Sequence, residues 1–298
     1  MKSYALFLGC TVPVRGMHYE ASARLISDRL GFHLVDVPEF GCCGFPLEGA
    51  DHLTSYVMAA MSLAAAERND LDIVTLCSAC TATLTKANKK LKEDRALREE
   101  VNKVLAETGA EFKGKTNVKH FARVLVEEVG YDKIKAAVTT PLTGLKIAAH
   151  YGCHYLKPSE IYEGFDSSER PVTLDRLIEA IGATHIDYED KLQCCGGGIL
   201  GFDEISALKM TQAKLQHIKE AGADAMTFIC PFCAVMYDDN QKAIEARFSA
   251  AYKLPVLYLP QVLGLALGVE KKELGFAMNK VSTKDLLQKL ELAGEVTR

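Results

Sequence analysis

The sequence lacks the features of several common protein classes. Its lysines and arginines are scattered along the chain and its net charge is −4, so the basic stripe of a nucleic-acid-binding protein is missing. The most apolar late stretch, residues 256–269, is interrupted by Pro260 and Gln261 and is too short to span a bilayer. The first apolar run meets Gly9 and Cys10 before it reaches the length of an export signal. We therefore expect no DNA or RNA partner and no direct membrane span, although docking on a membrane protein stays open.

The missing export signal predicts a cytoplasmic protein. In a reducing compartment the ten cysteines are poor candidates for structural disulfides and better candidates for metal or redox chemistry. A hydrophobic fraction of 48% and a charged fraction of 25% are typical of a globular protein. At 298 residues the chain is long enough for two domains of ordinary size.

What the chain does have is a doubled cysteine pattern. Each half carries one cysteine, then an adjacent pair, then a C-x-x-C, and no cysteine is left over. Set 1 is Cys10, Cys42, Cys43, Cys77 and Cys80, and set 2 is Cys153, Cys194, Cys195, Cys230 and Cys233. The neighbouring sequence repeats too, since LKIAAHYGC matches SYALFLGC and DAMTFICPFC matches DIVTLCSAC. This internal duplication predicts two domains, residues 1–143 and 144–298.

The order of apolar runs and helical periodicities predicts the fold class. Strand and helix alternate in each half, which implies right-handed crossovers and a parallel sheet flanked by helices, an α/β fold with two pseudo-symmetric domains. The cysteines follow the ends of predicted strands, so we expect them at the carboxyl edge of each sheet, where open α/β sheets bind ligands. The second cysteine of each C-x-x-C should open a helix, whose dipole favours the thiolate, and Pro231 fits the first turn. Residues 118–129 and the matching 256–269 are expected to be ordinary domain helices.

The five cysteines in each half favour an iron–sulfur cluster as the cofactor but leave its type and other cofactors open. Iron–sulfur clusters take thiolate ligands, but a conventional cubane takes four. The fifth could lie outside the ligand set, or the cluster could be of another type. Structural zinc and a thioredoxin-like dithiol are alternatives that the spacing favours less. Gly44 and residues 196–198 are expected to give the backbone room to approach inorganic sulfide.

The pattern, together with FLGC, HYGCHY and CPFCAVMYD, resembles a known family. It is similar to the duplicated cysteine-rich CCG domain, and over nearly the whole chain it resembles the B subunits of the CoB–CoM heterodisulfide reductases of methanogens. The resemblance implies two non-cubane [4Fe-4S] clusters, one held by set 1 and one by set 2. It also implies a catalytic subunit that reduces the CoM-S-S-CoB disulfide to two thiols in methanogenesis. Electrons would come from the flavin-containing iron–sulfur subunit of the complex through the cubane clusters of its small subunit, with a hydrogenase or formate dehydrogenase module attached.

Cleavage of a disulfide to two thiols also needs two protons, for which a histidine is the usual donor near neutral pH. His154, directly after Cys153, is the leading candidate, and His150 and Tyr151 are weaker ones. The alternative for His154 is a hydrogen bond to a cluster sulfide or a backbone carbonyl. Three further histidines are expected to be surface or packing residues: His18, His33 and His120.

Basic residues near the cleft would bind the anionic ends of the substrate that the resemblance implies. Arg15 and Lys157 follow the first cysteine of each half at comparable distances, although both could be solvated surface charges. The sequence departs from the family at CSAC, and a nine-residue insertion after Lys157 could reshape the substrate entrance. Two other functions stay open: a CCG-domain subunit of a quinone-linked succinate or fumarate reductase, and an electron-transfer iron–sulfur subunit.

Overall fold

A computed structural model describes residues 1–296 of the chain, and it contains two four-stranded sheets of the same design. The strands are β1 (Lys2–Phe7), β2 (Phe32–Val35), β3 (Asp72–Thr75), β4 (Val118–His120), β5 (Lys146–His150), β6 (Thr184–Ile186), β7 (Ala225–Phe228) and β8 (Val256–Tyr258). The orders are β2-β1-β3-β4 and β6-β5-β7-β8, and every neighbouring pair is parallel. The predicted fold class, two α/β halves with parallel sheets, is confirmed.

Helices connect the strands and flank both sheets. Those of the first half are α1 (Val12–Arg15), α2 (Met17–Leu30), α3 (His52–Arg68), α4 (Ser78–Glu93), α5 (Arg95–Leu105), α6 (Phe121–Val124) and α7 (Tyr131–Ala137). Those of the second half are α8 (Thr173–Ala180), α9 (Glu204–Glu220), α10 (Pro231–Ala234), α11 (Gln241–Phe248), α12 (Leu259–Ala266) and α13 (Lys284–Val296). A single π-helical turn extends α6 over Leu125–Val129 and α10 over Val235–Asp239.

Local sequence signals explain how the repeated helices begin and end. Asp51 and Asp203 accept a hydrogen bond from the backbone N–H three residues ahead, which satisfies a free donor at the start of α3 and of α9. Gly31 ends α2 in the left-handed conformation that glycine adopts without strain. In the described residues, no helix is both long enough and apolar enough to cross a membrane.

The two halves interlock through their helices. Helix α12 of the second half packs against α2 of the first, and α7 of the first packs against α8 of the second. The N–H groups of Thr139 and Thr140 both donate to the carbonyl of Ala266, each at 3.0 Å. One apolar cluster contains buried residues of both halves. The division between residues 143 and 144 therefore stays a prediction, because chain on both sides of it contributes to one core.

The structure corrects the prediction of uninterrupted helices over residues 118–129 and 256–269. Each segment begins as a three-residue strand, β4 or β8, which adds a fourth strand to its sheet before the helix starts. His120 and Tyr258 are buried at the ends of these strands. Three residues are too few to show the alternation of a strand, so the helical periodicity of the following residues dominated the pattern.

Candidate metal centres

Each cysteine set lines a cavity of its own. All five cysteines of set 1 line a cavity of about 10 Å³, and all five of set 2 line one of about 90 Å³. The strands explain this convergence, because Cys10 and Cys77 follow the ends of β1 and β3, and Cys153 and Cys230 follow the ends of β5 and β7. The parallel strands carry both cavities to the carboxyl edges of the sheets, as the sequence predicts.

The C-x-x-C segments are held by helix starts. Cys77 and Cys230 immediately precede α4 and α10, and Pro231 occupies the first turn of α10. Cys80 and Cys233 lie inside the first turn of these helices. The amide groups of such a turn have no partner within the helix and favour negative charge on nearby sulfur.

The cysteine pairs are shaped by glycines in the left-handed region. Gly44 and Gly196 both have a φ of 88°. A Cβ on Gly44 would lie 2.8 Å from the carbonyl oxygen of Ser55, and one on Gly196 would lie 2.8 Å from that of Ala207. These glycines therefore let the CCG turn pack directly on the helix that follows it. Close packing on the helix is thus a second reason for glycine at positions 44 and 196, besides the predicted room for inorganic sulfide.

The thiols of set 2 are close enough to exchange protons. The Cys153 thiol donates to Cys194, which lowers the pKa of Cys194 to about 2 and raises that of Cys153. The backbone N–H of Gly196 also donates to Cys194 Sγ, and that of Gly197 donates to Cys195 Sγ, each at 3.4 Å. In set 1, a hydrogen bond from Cys80 lowers the pKa of Cys43 to about 7. Each such hydrogen bond favours the thiolate of the accepting cysteine and keeps the donating cysteine protonated, as the raised pKa values of Cys153 and Cys80 show, and metal binding would remove these protons.

The donor atoms fit an iron–sulfur group. All ten cysteines are free, and five sulfur atoms converge on each cavity, which suits soft metal ions rather than hard ones. A structural zinc ion takes four ligands in a tetrahedron and would leave a thiolate over in each half. The residues that line the set 1 cavity include no histidine or carboxylate, so sulfur is the only strong donor there.

The two cavities meet at a shared wall. Cys77 Sγ of set 1 lies 3.9 Å from Cys230 Sγ of set 2. Phe45, Ala79 and Phe232 line both cavities, and the rings of Phe45 and Phe232 lie 6.4 Å apart between centroids. Groups held by the two sets would therefore be close neighbours across an apolar partition.

His154, the leading candidate for a proton donor, lies in the wall of the set 2 cavity. It is half-buried, and the edge of its ring packs on Phe45 with the centroids 5.1 Å apart. The Tyr162 hydroxyl donates to the His154 carbonyl. Phe45 of the first half thus packs on the ring beside the cysteines of set 2, while Tyr162 of the second half fixes the backbone of His154.

The two weaker candidates have different surroundings. His150 is fully buried at the end of β5, and its ring lies with Cys195 and Cys233 so that the three ligand atoms are within 4.8 Å of one another. Burial, with the nearby Lys214 cation, holds the pKa of His150 well below its usual range. Tyr151 Oη accepts from the N–H groups of Leu174 and Asp175 at the start of α8, which is a structural contact.

His18, His33 and His120, for which the sequence predicts packing or surface positions, lie in such positions. His18 packs its ring on Tyr258 with the centroids 5.0 Å apart, and burial lowers its pKa to about 4. His120 accepts from the Ala122 N–H at Nδ1 and donates from Nε2 to a backbone carbonyl, and burial lowers its pKa to about 4. His33 is exposed and lies 3.4 Å from Asp28.

The predicted substrate contacts lie outside the two cavities in the described chain. Arg15 is exposed and pairs with Asp239 of the second half at 3.2 Å. Lys157 is exposed at a cis bond to Pro158. The insertion after Lys157 packs on the first half, where the Arg123 guanidinium lies 4.9 Å above the Phe165 ring. It therefore joins the two halves.

Sequence reasoning missed Lys214 and the shared aromatic wall. Lys214 is fully buried under the turn that precedes Cys194, and its ammonium donates to three backbone carbonyls of that turn. Nothing in the sequence distinguishes it from the other lysines of α9. Phe45 and Phe232 do adjoin cysteine motifs, and that adjacency was the available signal.

Two duplicated α/β halves, each with five cysteines at the carboxyl edge of its sheet, define a cysteine-rich iron–sulfur protein of the redox-subunit class. The cysteine-rich domain model, CCG, matches residues 4–85 and 147–238. The chain therefore belongs to the duplicated cysteine-rich domain family that includes the B subunits of heterodisulfide reductases.

Curated relatives support this membership over nearly the whole chain. The chain is 38% identical to the B subunit of the ferredoxin/F420H2-dependent CoB–CoM heterodisulfide reductase of Methanosarcina acetivorans, over 97% of each chain. It is 33% identical to the 8-methylmenaquinol:fumarate reductase membrane anchor subunit of Wolinella succinogenes, over 96% of this chain and 99% of that one. A hypothetical protein from Helicobacter pylori shares the fold with a TM-score of 0.78 at 16% identity, covering 94% of this chain and 52% of that one.

Proposed function

We propose that this chain is the catalytic subunit of a heterodisulfide reductase that reduces CoM-S-S-CoB to the thiols coenzyme M and coenzyme B in methanogenesis. The observation that carries the proposal is the meeting of two five-cysteine cavities at one wall, with Cys77 and Cys230 3.9 Å apart. Cleaving a disulfide needs two electrons at one place, and two adjacent one-electron groups can deliver them. The relatives named as the B subunits of such reductases support the substrate.

The proposed cofactors are two non-cubane [4Fe-4S] clusters, one held by set 1 and one by set 2. Five sulfur donors in each cavity are one more than a cubane takes, which supports a cluster of another type. When bound, the clusters would supply the two electrons, one from each. The reduction balances when the S–S bond breaks and each sulfur atom gains one electron and one proton.

The chain's own residues would exclude water and deliver a proton. Phe45, Ala79 and Phe232 give the wall between the cavities an apolar surface, which strengthens electrostatic interactions inside the site. His154 lines the set 2 cavity and is only half-buried, so it can exchange protons with solvent. We assign it as the proton donor to one of the two leaving sulfur atoms.

The anionic ends of the substrate would meet exposed basic residues outside the two cavities. Arg15 and Lys157 are both exposed and remain the proposed contacts. Arg15 would exchange Asp239 for a substrate oxyanion, and its guanidinium can bind such a group through two parallel hydrogen bonds.

The proposed partners follow from the same family. A small iron–sulfur subunit would deliver electrons through its cubane clusters, and a larger iron–sulfur subunit would supply them from its flavin. A hydrogenase or formate dehydrogenase module would in turn reduce that flavin. A cytoplasmic location is part of the proposal, and the ten free cysteines support it.

The decisive assay supplies CoM-S-S-CoB and reduced viologen dye to the anaerobically purified complex. Release of two thiols for each disulfide is expected, and heat-inactivated complex serves as the control. If protein with its full iron content released no thiol, the proposed reaction would be contradicted. A metal analysis that found only zinc, or four or fewer iron atoms in each chain, would contradict the proposed cofactors.

A second function is favoured by one specific relative. The Wolinella succinogenes protein, which this chain matches over almost the full length of both, is named as the membrane anchor subunit of an 8-methylmenaquinol:fumarate reductase. In that function this chain would take electrons from a quinol for a fumarate-reducing partner. Oxidation of a menaquinol analogue by the same complex, without thiol release from the disulfide, would favour it.

A further inference from the structure

The surroundings of the two cysteine sets differ at two buried positions behind the residues that line the cavities. His150 ends β5 and pairs with Phe228, in the place where Phe7 of β1 pairs with Thr75. Lys214 lies nineteen residues after Cys195, in the place that Ser62 holds after Cys43. The second half therefore has an imidazole and a cation where the first half has a benzyl ring and a hydroxyl.

Lys214 brings a buried positive charge to the cysteine pair of set 2. Its side chain is fully buried, and its ammonium donates to the carbonyls of Asp190, Lys191 and Gln193 at 2.6, 3.1 and 2.9 Å. Gln193 directly precedes Cys194, so these bonds fix the turn that presents the pair. Burial lowers the pKa of Lys214 to about 8, and the nearby Asp190 carboxylate and the thiols of set 2 oppose this lowering.

The neighbouring carboxylate only partly offsets this charge. Asp190 Oδ1 lies 3.9 Å from the Lys214 ammonium, farther than any of the three carbonyls. The other oxygen of Asp190 lies 3.1 Å from His217 Nδ1. In the first half the Ser62 side chain is neutral, so no charge stands in the corresponding place.

His150 places a ring nitrogen close to the sulfur atoms of Cys195 and Cys233. Neither of its ring nitrogens has a hydrogen-bond partner among the residues that the structure describes. Its side chain is fully buried, and its ligand atom groups with those of Cys195 and Cys233 within 4.8 Å. A neutral imidazole carries one N–H, and the sulfur atoms of Cys195 and Cys233 lie within 4.8 Å of its grouped ring nitrogen. Phe7 can offer no such bond.

We infer that set 2 holds the cluster with the higher reduction potential, and that Lys214 and His150 raise it. Reduction adds negative charge, which a nearby cation and N–H donors to sulfur stabilise. At the corresponding positions of set 1, Phe7 and Ser62 supply neither feature. The inference rests on the proposed function, because it requires a cluster at each set. It adds the order of reduction, since the first electron to arrive would reduce the cluster at set 2.

The test is a potentiometric titration of the anaerobically purified complex, followed by electron paramagnetic resonance. Signals are assigned with Cys43→Ala and Cys195→Ala complexes, each of which removes a ligand from one set. In the wild type, the midpoint of set 2 is expected above that of set 1. His150→Phe, which installs the residue of the first half, and Lys214→Met should each move the set 2 midpoint to more negative potential and leave set 1 unchanged.

Two further variants separate charge from positioning. Lys214→Gln can still donate to the carbonyls of the turn without carrying a charge, so it should keep its iron and show the same negative shift. Lys209→Met removes an exposed lysine of the same helix and should shift neither midpoint.

Three results would overturn the inference. They are a wild-type set 2 midpoint at or below that of set 1, unchanged midpoints in both His150→Phe and Lys214→Gln, and loss of set 2 iron in Lys214→Gln. Each of these leaves the proposed clusters and their reaction in place. Wild-type complex without iron at both sets would instead overturn the proposed function together with the inference.

Discussion

The Sγ atoms of Cys77 and Cys230 lie 3.9 Å apart although 153 positions separate the two residues in the chain. Each immediately precedes the helix that opens at its C-x-x-C, so the contact joins equivalent points of the two halves. Interlocked helices hold the halves in this arrangement, because α12 packs on α2 and α7 packs on α8. Duplication followed by such packing places the ligand edges of the two sheets against each other.

Cys77 and Cys230 provide the first prediction, because their contact raises the question of whether the sets hold one group or two. Each set lines its own cavity, so Cys77→Ala should weaken only set 1 and Cys230→Ala only set 2. Each variant is expected to retain about half of the wild-type iron, measured by colorimetric iron analysis of anaerobically purified protein. Ser159→Ala, an exposed control, should retain all of it. Near-complete iron loss in either cysteine variant would mean that the two sets share a single group.

The convergence of the cysteines at the strand ends could be predicted from the sequence because its signal is local. Cys77 and Cys80 are three residues apart after an apolar run, and that pattern alone places them where a strand turns into a helix. The packing of α12 on α2 could not be predicted, because contacts between remote segments leave no periodic trace. Lys214 was missed for a related reason, since a buried lysine on α9 and an exposed one such as Lys209 look the same in sequence.

His154 provides the second prediction. If it donates a proton to a leaving sulfur, His154→Gln should lower turnover of CoM-S-S-CoB by roughly 100-fold or more, in the range of general acid catalysis. Iron content should not change, because the side chain lines the set 2 cavity without being one of its sulfur donors. The measurements are viologen-linked turnover and iron analysis of the same preparation.

His185→Gln is the matched control for this variant, since His185 lies on β6 with a partly exposed ring beside Glu179. It should keep wild-type turnover. Unchanged turnover in His154→Gln would contradict the assignment of His154 as the proton donor. Loss of iron would assign the residue to cofactor binding, the alternative that the sequence left open.

Gly44 and Gly196 provide the third prediction, on stability. Alanine at either position would be held in the left-handed region and would place its Cβ 2.8 Å from a helix carbonyl oxygen. Each substitution should lower the free energy of unfolding by about 2 kcal/mol, measured by thermal unfolding of the iron-loaded protein. Gly41→Ala and Gly201→Ala are controls, because nothing lies within 4 Å of a Cβ built there. Equal stability of Gly44→Ala and Gly41→Ala would contradict the close packing of the turn on α3.

Glu128 provides the fourth prediction, because it joins two strands of the first sheet that are not neighbours. Its carboxylate accepts from Lys2 Nζ of β1 at 3.1 Å and from Lys119 Nζ of β4 at 2.7 Å. Burial opposes its ionisation, but these hydrogen bonds outweigh burial and lower its pKa to about 2. Since its side chain is 25% exposed, Glu128→Gln should lower the free energy of unfolding by only about 1 kcal/mol near neutral pH.

The pH dependence of that difference follows from the direction of the shift. A lowered carboxyl pKa stabilises the fold above the ordinary value of 4.5, and this stabilisation disappears as the pH falls toward the folded value of about 2. Thermal unfolding should therefore show a constant gap between wild type and Glu128→Gln from about pH 8 to about pH 5, and a narrowing gap below that. Glu111→Gln, which removes an exposed partner of Lys113, should show no gap at any pH. A Glu128→Gln gap that widened with acid would mean that the carboxyl is neutral in the folded protein, and that the two lysines do not hold its charge.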